Sequence, residues 1–109
     1  MDDFSTPNTT NSFGVPASPA NYIASGKRPV SSMAPTIIME KSTQQIQLVL
    51  GASGGTRITT SVAQVAMLNL WFDKDIKKAI DSPRLHSQLL PDEVIAERGF
   101  DAVSNNSYQ

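Results

Sequence analysis

The chain has 109 residues, nine Lys and Arg against ten Asp and Glu, a formal net charge of −1, and no cysteine. That length permits one domain at most, the charge gives no electrostatic footprint for nucleic acid or an anionic membrane, and the missing thiol excludes disulfides and thiolate metal sites without deciding the redox compartment. The opening MDDFSTPNTT is acidic and polar rather than a basic-then-apolar leader, and no apolar run is long enough to span a bilayer.

Five of the seven prolines, Pro7, Pro16, Pro19, Pro29 and Pro35, fall before Thr36, mixed with Ser, Asn, Thr and Gly. No helical or alternating pattern survives there. Phe4, Phe13, Val15, Tyr22, Ile23 and Val30 are nevertheless spread through it, so it reads as an extended segment that must lie on something. After Pro35 the chain becomes regular. TIIME and IQLVL are apolar and β-branched, and the polar link KSTQQ between them predicts a hairpin.

A glycine run, Gly51, Gly54 and Gly55, follows in LVLGASGGTRITTSV. Residues 56–72 read as a helix, with Ile58, Val62, Val65 and Ala66 at helical spacing. Residues 65–72 are apolar nearly all round, which predicts burial. A short second helix is expected in DKDIKKAIDSP: Asp75 caps it, Ile76, Ala79 and Ile80 form its inner face, and Pro83 stops it. EVIAE reads as another strand and RGFDAV as the start of a helix. One hairpin with one very apolar helix leaves strand edges and a greasy face unpaired, so a piece of something larger, or a chain with a partner, is expected.

The glycine run admits three readings. A phosphate loop needs Lys then Ser or Thr after its last glycine, whereas Gly55 is followed by Thr56 and Arg57, and the G-x-G-x-x-G spacing is absent too. Close packing of helix on strand explains glycine without a ligand. An oxyanion hole uses backbone N–H groups at a helix start to meet a carbonyl oxygen that becomes negative in acyl transfer. Composition does not choose among them.

The surrounding blocks do. MDDFS, FGVPASPANYIASGKRPVSSMAPTI, VLGASGGTRITT and SPRLHSQLLPDEV, in that order, resemble the light subunit of the gamma-glutamyltranspeptidases, also called glutathione hydrolases. The resemblance covers nearly the whole chain and fades after about Val103. It implies an α+β chain, part of the four-layer αββα sandwich of the N-terminal-nucleophile hydrolases. The chain would be a single incomplete domain, with 1–35 an extended Pro-rich substrate-binding segment and 36–109 the strands, glycine loop and helices. It also implies an enzyme whose threonine attacks the γ-glutamyl amide of glutathione or its conjugates. The resulting acyl-enzyme is resolved by water, an amino acid or a dipeptide.

By the same match, Gly54 and Gly55 are the glycine pair whose backbone N–H groups form the oxyanion hole. Ser31 and Ser32 are the serine pair that holds the α-carboxylate of the glutamyl group, and Asp3 the acid that holds its α-ammonium, with Asp2 a neighbour rather than a contact. Without the resemblance, the serines read as turn residues before Pro35 and the two acids as a solvated terminus. The family's threonine lies upstream of MDDF, as does a glutamate, and its heavy subunit supplies an arginine. The expectation is therefore a chain that carries the binding and oxyanion half of a site and is inactive by itself. The implied partners are the heavy subunit of the same precursor and a γ-glutamyl substrate such as glutathione, with no nucleic acid, cofactor or metal. The implied location is the extracellular face of the plasma membrane, or secreted. The alternative is an inactive truncated paralogue or isoform acting only as a binding partner.

His86, the sole histidine, sits near Asp81 and Ser82 and tempts a triad reading. Triads are defined by geometry rather than adjacency, and a lone histidine does not build a zinc site. The resemblance implies that PRLHSQLLP is a structural stretch. Asn8 and Asn105 fit the glycosylation pattern, which is only permissive.

Overall fold

The computed structural model describes residues 4–100. Residues 4–35 form no strand and hold themselves together by side-chain-to-backbone bonds. The Asn11 carbonyl oxygen Oδ1 accepts the N–H groups of Phe13 and Val15, each at 3.0 Å, and turns the chain so that Thr10 bridges Pro16. A single 3-10 turn, Pro19–Asn21, follows, and Ser5 bridges Tyr22.

The predicted hairpin is present. Strands β1 (Thr36–Met39) and β2 (Ile46–Leu50) pair antiparallel, Thr36 opposite Leu50 and Ile38 opposite Leu48, with a register shift at Ile38/Met39. Its link closes with Gln44 at φ 59 and the Glu40 N–H on the Gln45 carbonyl at 2.9 Å. Leu48 is buried, while Ile37 and Val49, opposite each other, are each 63% exposed.

Helix α1 (Arg57–Leu70) buries Ile58, Val62 and Val65, the stripe anticipated from spacing, and packs against β2, β3 and α2. The expected burial of residues 65–72 is not found. Val65 alone is buried there; Trp71 is 74% and Phe72 68% exposed. A helix apolar all round needs neighbours all round, and among the described residues α1 is covered along one side only.

Helix α2 (Ile76–Asp81) is capped as expected, the Asp75 carboxylate accepting the Lys78 N–H at 2.9 Å, and it ends where Ser82 turns extended before Pro83. Its inner face is narrower than predicted. Ala79 is fully buried, but Ile76 and Ile80 are exposed, because α1 meets the helix along its smallest residue.

A second, two-residue ribbon follows: β3 (Leu85–His86), which the sequence pattern does not announce, and β4 (Ile95–Ala96), shorter than the EVIAE strand anticipated. RGFDAV does not start a helix within the described residues; the Phe100 N–H closes a turn on the Glu97 carbonyl, with Gly99 at φ 94.

Arg84 and Glu97 clasp this ribbon. The guanidinium Nε donates to Oε1 at 3.0 Å and the Arg84 N–H to Oε2 at 3.1 Å. Those bonds, the guanidinium's first, hold the Glu97 carboxyl below its ordinary value. A lowered folded-state value contributes stability that is present above the unfolded carboxylate value of about 4.3 and is lost as pH falls through the lower one. In a full-length protein carrying this segment, Glu97→Gln is expected to flatten the acid limb of the melting-temperature profile. At neutral pH it should cost no more than about 1 kcal/mol, since the pair is partly solvated. Parallel profiles for the two proteins below pH 5 would contradict this.

The chain spreads rather than closes. Its radius of gyration is 17.1 Å, where a compact chain of this length has about 13 Å. Its accessible surface is 8617 Å², where a compact monomer of this mass exposes about 5,900 Å².

Candidate functional site

The loop between β2 and α1 carries two glycines in left-handed conformations, Gly54 at φ 131 and Gly55 at φ 60. L side chains rarely adopt either, so the residue type follows from the turn. The Gly54 carbonyl accepts the Arg57 N–H at 3.2 Å and the Gly55 carbonyl accepts the Ile58 N–H at 3.1 Å, which starts α1. In a trans peptide the N–H points opposite to the carbonyl it is joined to. The Gly54 carbonyl faces the helix, so the Gly55 N–H faces away from it. Among the described residues, no group accepts from the N–H of Gly54 or Gly55. The positive end of the α1 dipole lies at the same place.

The serine pair leaves the other strand of the same hairpin. Thr36 pairs with Leu50; Ser32 stands four residues before the first and Gly54 four residues after the second. The two pairs therefore emerge at one end of the ribbon. Ser31 and Ser32 are exposed. The Ser31 hydroxyl donates to the Met33 carbonyl at 2.9 Å and accepts its N–H at 3.1 Å, a local turn. Asp3 lies outside the described residues, as does Asn105.

Beside the glycine loop is a cavity of about 300 Å³, lined among others by Phe13, Thr56, Arg57, His86, Gln88 and Glu93. Phe13 brings the first third of the chain to the loop: a Cβ added at Gly55 would lie 2.6 Å from its Cε2. His86 is buried. Its Nδ1 is 2.8 Å from Thr60 Oγ1 on α1, and its Nε2 is 3.0 Å from Gln88 Oε1. The Gln88 amide donates to the Phe13 carbonyl at 3.0 Å and the Leu90 carbonyl at 2.7 Å.

No triad forms around His86. Ser82 Oγ donates to the Lys78 carbonyl at 2.7 Å and Asp81 pairs with Lys77. Among the described residues, no group of three or more His, Cys, Asp or Glu could hold a metal ion, and no helix is long and apolar enough to cross a membrane. Phe13 and Gln88 carry no local signal in the sequence; 75 positions separate them, and only folding sets one against the other.

The family model described as gamma-glutamyltranspeptidase matches residues 1–106. Scoloptoxin SSD14 of Scolopendra dehaani is 54% identical over 100 residues, which is 92% of this chain and 17% of that protein. The glutathione hydrolase proenzyme of Escherichia coli (strain K12) is 41% identical over 101 residues, again 92% of this chain and 17% of that protein. Among solved structures, a mutant Helicobacter pylori gamma-glutamyltranspeptidase superposes with a TM-score of 0.85 at 39% identity. An acivicin-inhibited gamma-glutamyltranspeptidase superposes with a TM-score of 0.86 at 40% identity. Each match covers 100% of this chain and 61% of the solved one. The backbone described above is thus the matching part of those structures, the partial N-terminal-nucleophile fold that the sequence blocks implied.

Proposed function

Because the chain belongs to the gamma-glutamyltranspeptidase family, we propose that it forms the substrate-binding and oxyanion part of a light subunit. The whole protein hydrolyses the γ-glutamyl amide of glutathione and its conjugates, or transfers the γ-glutamyl group to an amino acid or dipeptide. The observation that carries this reading is the glycine pair: two left-handed residues at a helix start, with N–H groups that no described group takes up. Such donors stabilise the oxygen that gains charge when a hydroxyl attacks the amide. At the same end of the hairpin Ser32 offers a hydroxyl donor to the α-carboxylate, Ser31 offers a second when its hydroxyl turns from the Met33 carbonyl, and Asp3 offers an acceptor to the α-ammonium.

A heavy subunit of the same precursor is the protein partner in this reading. The exposed faces around Ile37 and Val49 on the ribbon and Trp71 and Phe72 at the end of α1 support it, since apolar surface of that kind is covered in stable assemblies. No nucleic acid, cofactor or metal enters the reaction, and the site of action is the extracellular face of the plasma membrane or the secreted space.

The test is release of anilide from a γ-glutamyl anilide by a full-length protein carrying this segment, with and without a dipeptide acceptor. Turnover that the acceptor accelerates is expected. Release no faster than in buffer would leave the rival, an inactive paralogue that only binds a partner.

A further inference from the structure

We propose that His86 is a positioning residue for the glycine pair, closing a ring that runs from α1 through Thr60, His86, Gln88 and Phe13 back to Gly55. The inference rests on reading the glycine pair as the oxyanion donors, and it assigns the side chains that aim them.

The bonds have a direction. Both amide hydrogens of Gln88 are taken, by the Phe13 and Leu90 carbonyls at 3.0 and 2.7 Å. Its Oε1 is therefore the atom that faces His86, and at 3.0 Å from Nε2 it needs a hydrogen from the ring. With the hydrogen on Nε2, the neutral imidazole presents Nδ1 as an acceptor. The single hydrogen of Thr60 Oγ1 has two acceptors in reach, the Arg57 carbonyl at 3.1 Å and Nδ1 at 2.8 Å, and in the ring it goes to the nearer, Nδ1. Thr60 donates to His86, His86 to Gln88, and Gln88 to Phe13; bonds in such a chain polarise one another. His86 itself is buried, where an unpaired ring nitrogen is costly.

The ring closes through space. Phe13, gripped at its carbonyl, lays its side chain on the Cα of Gly55. At the other end, Thr60 stands in the first turn of α1, whose Arg57 and Ile58 N–H groups hold the Gly54 and Gly55 carbonyls. Two adjacent glycines are free to rotate their peptide planes unless something on both sides prevents it. Here the helix restrains one side and Phe13 the other, and His86 with Gln88 ties the two restraints together. His86 and Gln88 line the cavity beside the loop, and their hydrogen bonds go to Thr60, Phe13 and Leu90, so their effect is assigned to the aim of the donors.

The experiment uses the full-length protein with γ-glutamyl anilide. Gln88→Ala and His86→Asn are each expected to lower kcat about tenfold or more while KM stays within about twofold, because misaimed donors weaken the transition state and not substrate binding. His86→Asn keeps an acceptor towards Thr60 but does not reach Gln88, so the double variant should lose no more than either single one. Nitrogen-15 shifts of the histidine ring in the unmodified protein should report hydrogen on Nε2 and none on Nδ1. A kcat equal to wild type in both variants, losses that multiply in the double variant, or hydrogen found on Nδ1 alone would overturn the ring. The nitrogen measurement needs no variant to fold. Gly55→Ala, run beside them, separates the two readings: if it too leaves kcat intact, the oxyanion assignment has failed; if it alone destroys turnover, only the ring has.

Discussion

In a full-length protein carrying this segment, Gly55→Ala is expected to reduce kcat for a γ-glutamyl anilide by about a hundred- to a thousandfold with KM little changed, the loss seen when one oxyanion donor is removed. The alanine keeps its N–H, so the loss comes from position. Gly55 sits at φ 60, where an L side chain costs roughly 1–2 kcal/mol. The added Cβ would also press into the Phe13 ring, 2.6 Å from Cε2. Both penalties are relieved by rotating the loop, and rotation turns the N–H from its target. Gly51→Ala is the control: its Cβ would meet nothing within 4 Å and its backbone is not left-handed. Wild-type turnover in the Gly51 variant with collapse in the Gly55 variant is the expected pair. Equal activity in both would remove the glycine pair from the reaction.

The second large effect belongs to Asp3. An interaction with the substrate's α-ammonium is made equally in the ground and transition states, so its loss raises KM more than it lowers kcat. A hydrogen bond to a charged group contributes about 1.5–3 kcal/mol, which predicts a KM for Asp3→Asn roughly ten- to a hundredfold higher. Asparagine keeps the shape and removes the charge. An analogue of the substrate without its α-amino group should bind poorly to the wild type and be nearly indifferent to the substitution. An unchanged KM, or equal harm to the amine-free analogue, would make Asp3 a polar surface residue.

What the sequence determined by itself is local. The β-branched blocks around a five-residue polar link form the hairpin, the spacing of Ile58, Val62 and Val65 forms the buried face of α1, and Asp75 caps α2. Each depends on residues a few positions apart, whose side chains meet through the geometry of one strand pair or one helix. The family was legible for a different reason: long blocks in a fixed order, where a single glycine run left three chemistries open. Tertiary structure decided the rest. Trp71 and Phe72 are as apolar as any core residue yet lie exposed, because burial depends on what stands opposite. The ribbon of β3 and β4 is two residues long on each side and has no periodicity to read. His86, unremarkable among its neighbours in sequence, becomes the link between α1 and the first third of the chain only when Thr60 and Gln88 arrive on either side of its ring. Contacts across 26 and 75 positions follow from the path of the backbone, which no short stretch of residues encodes.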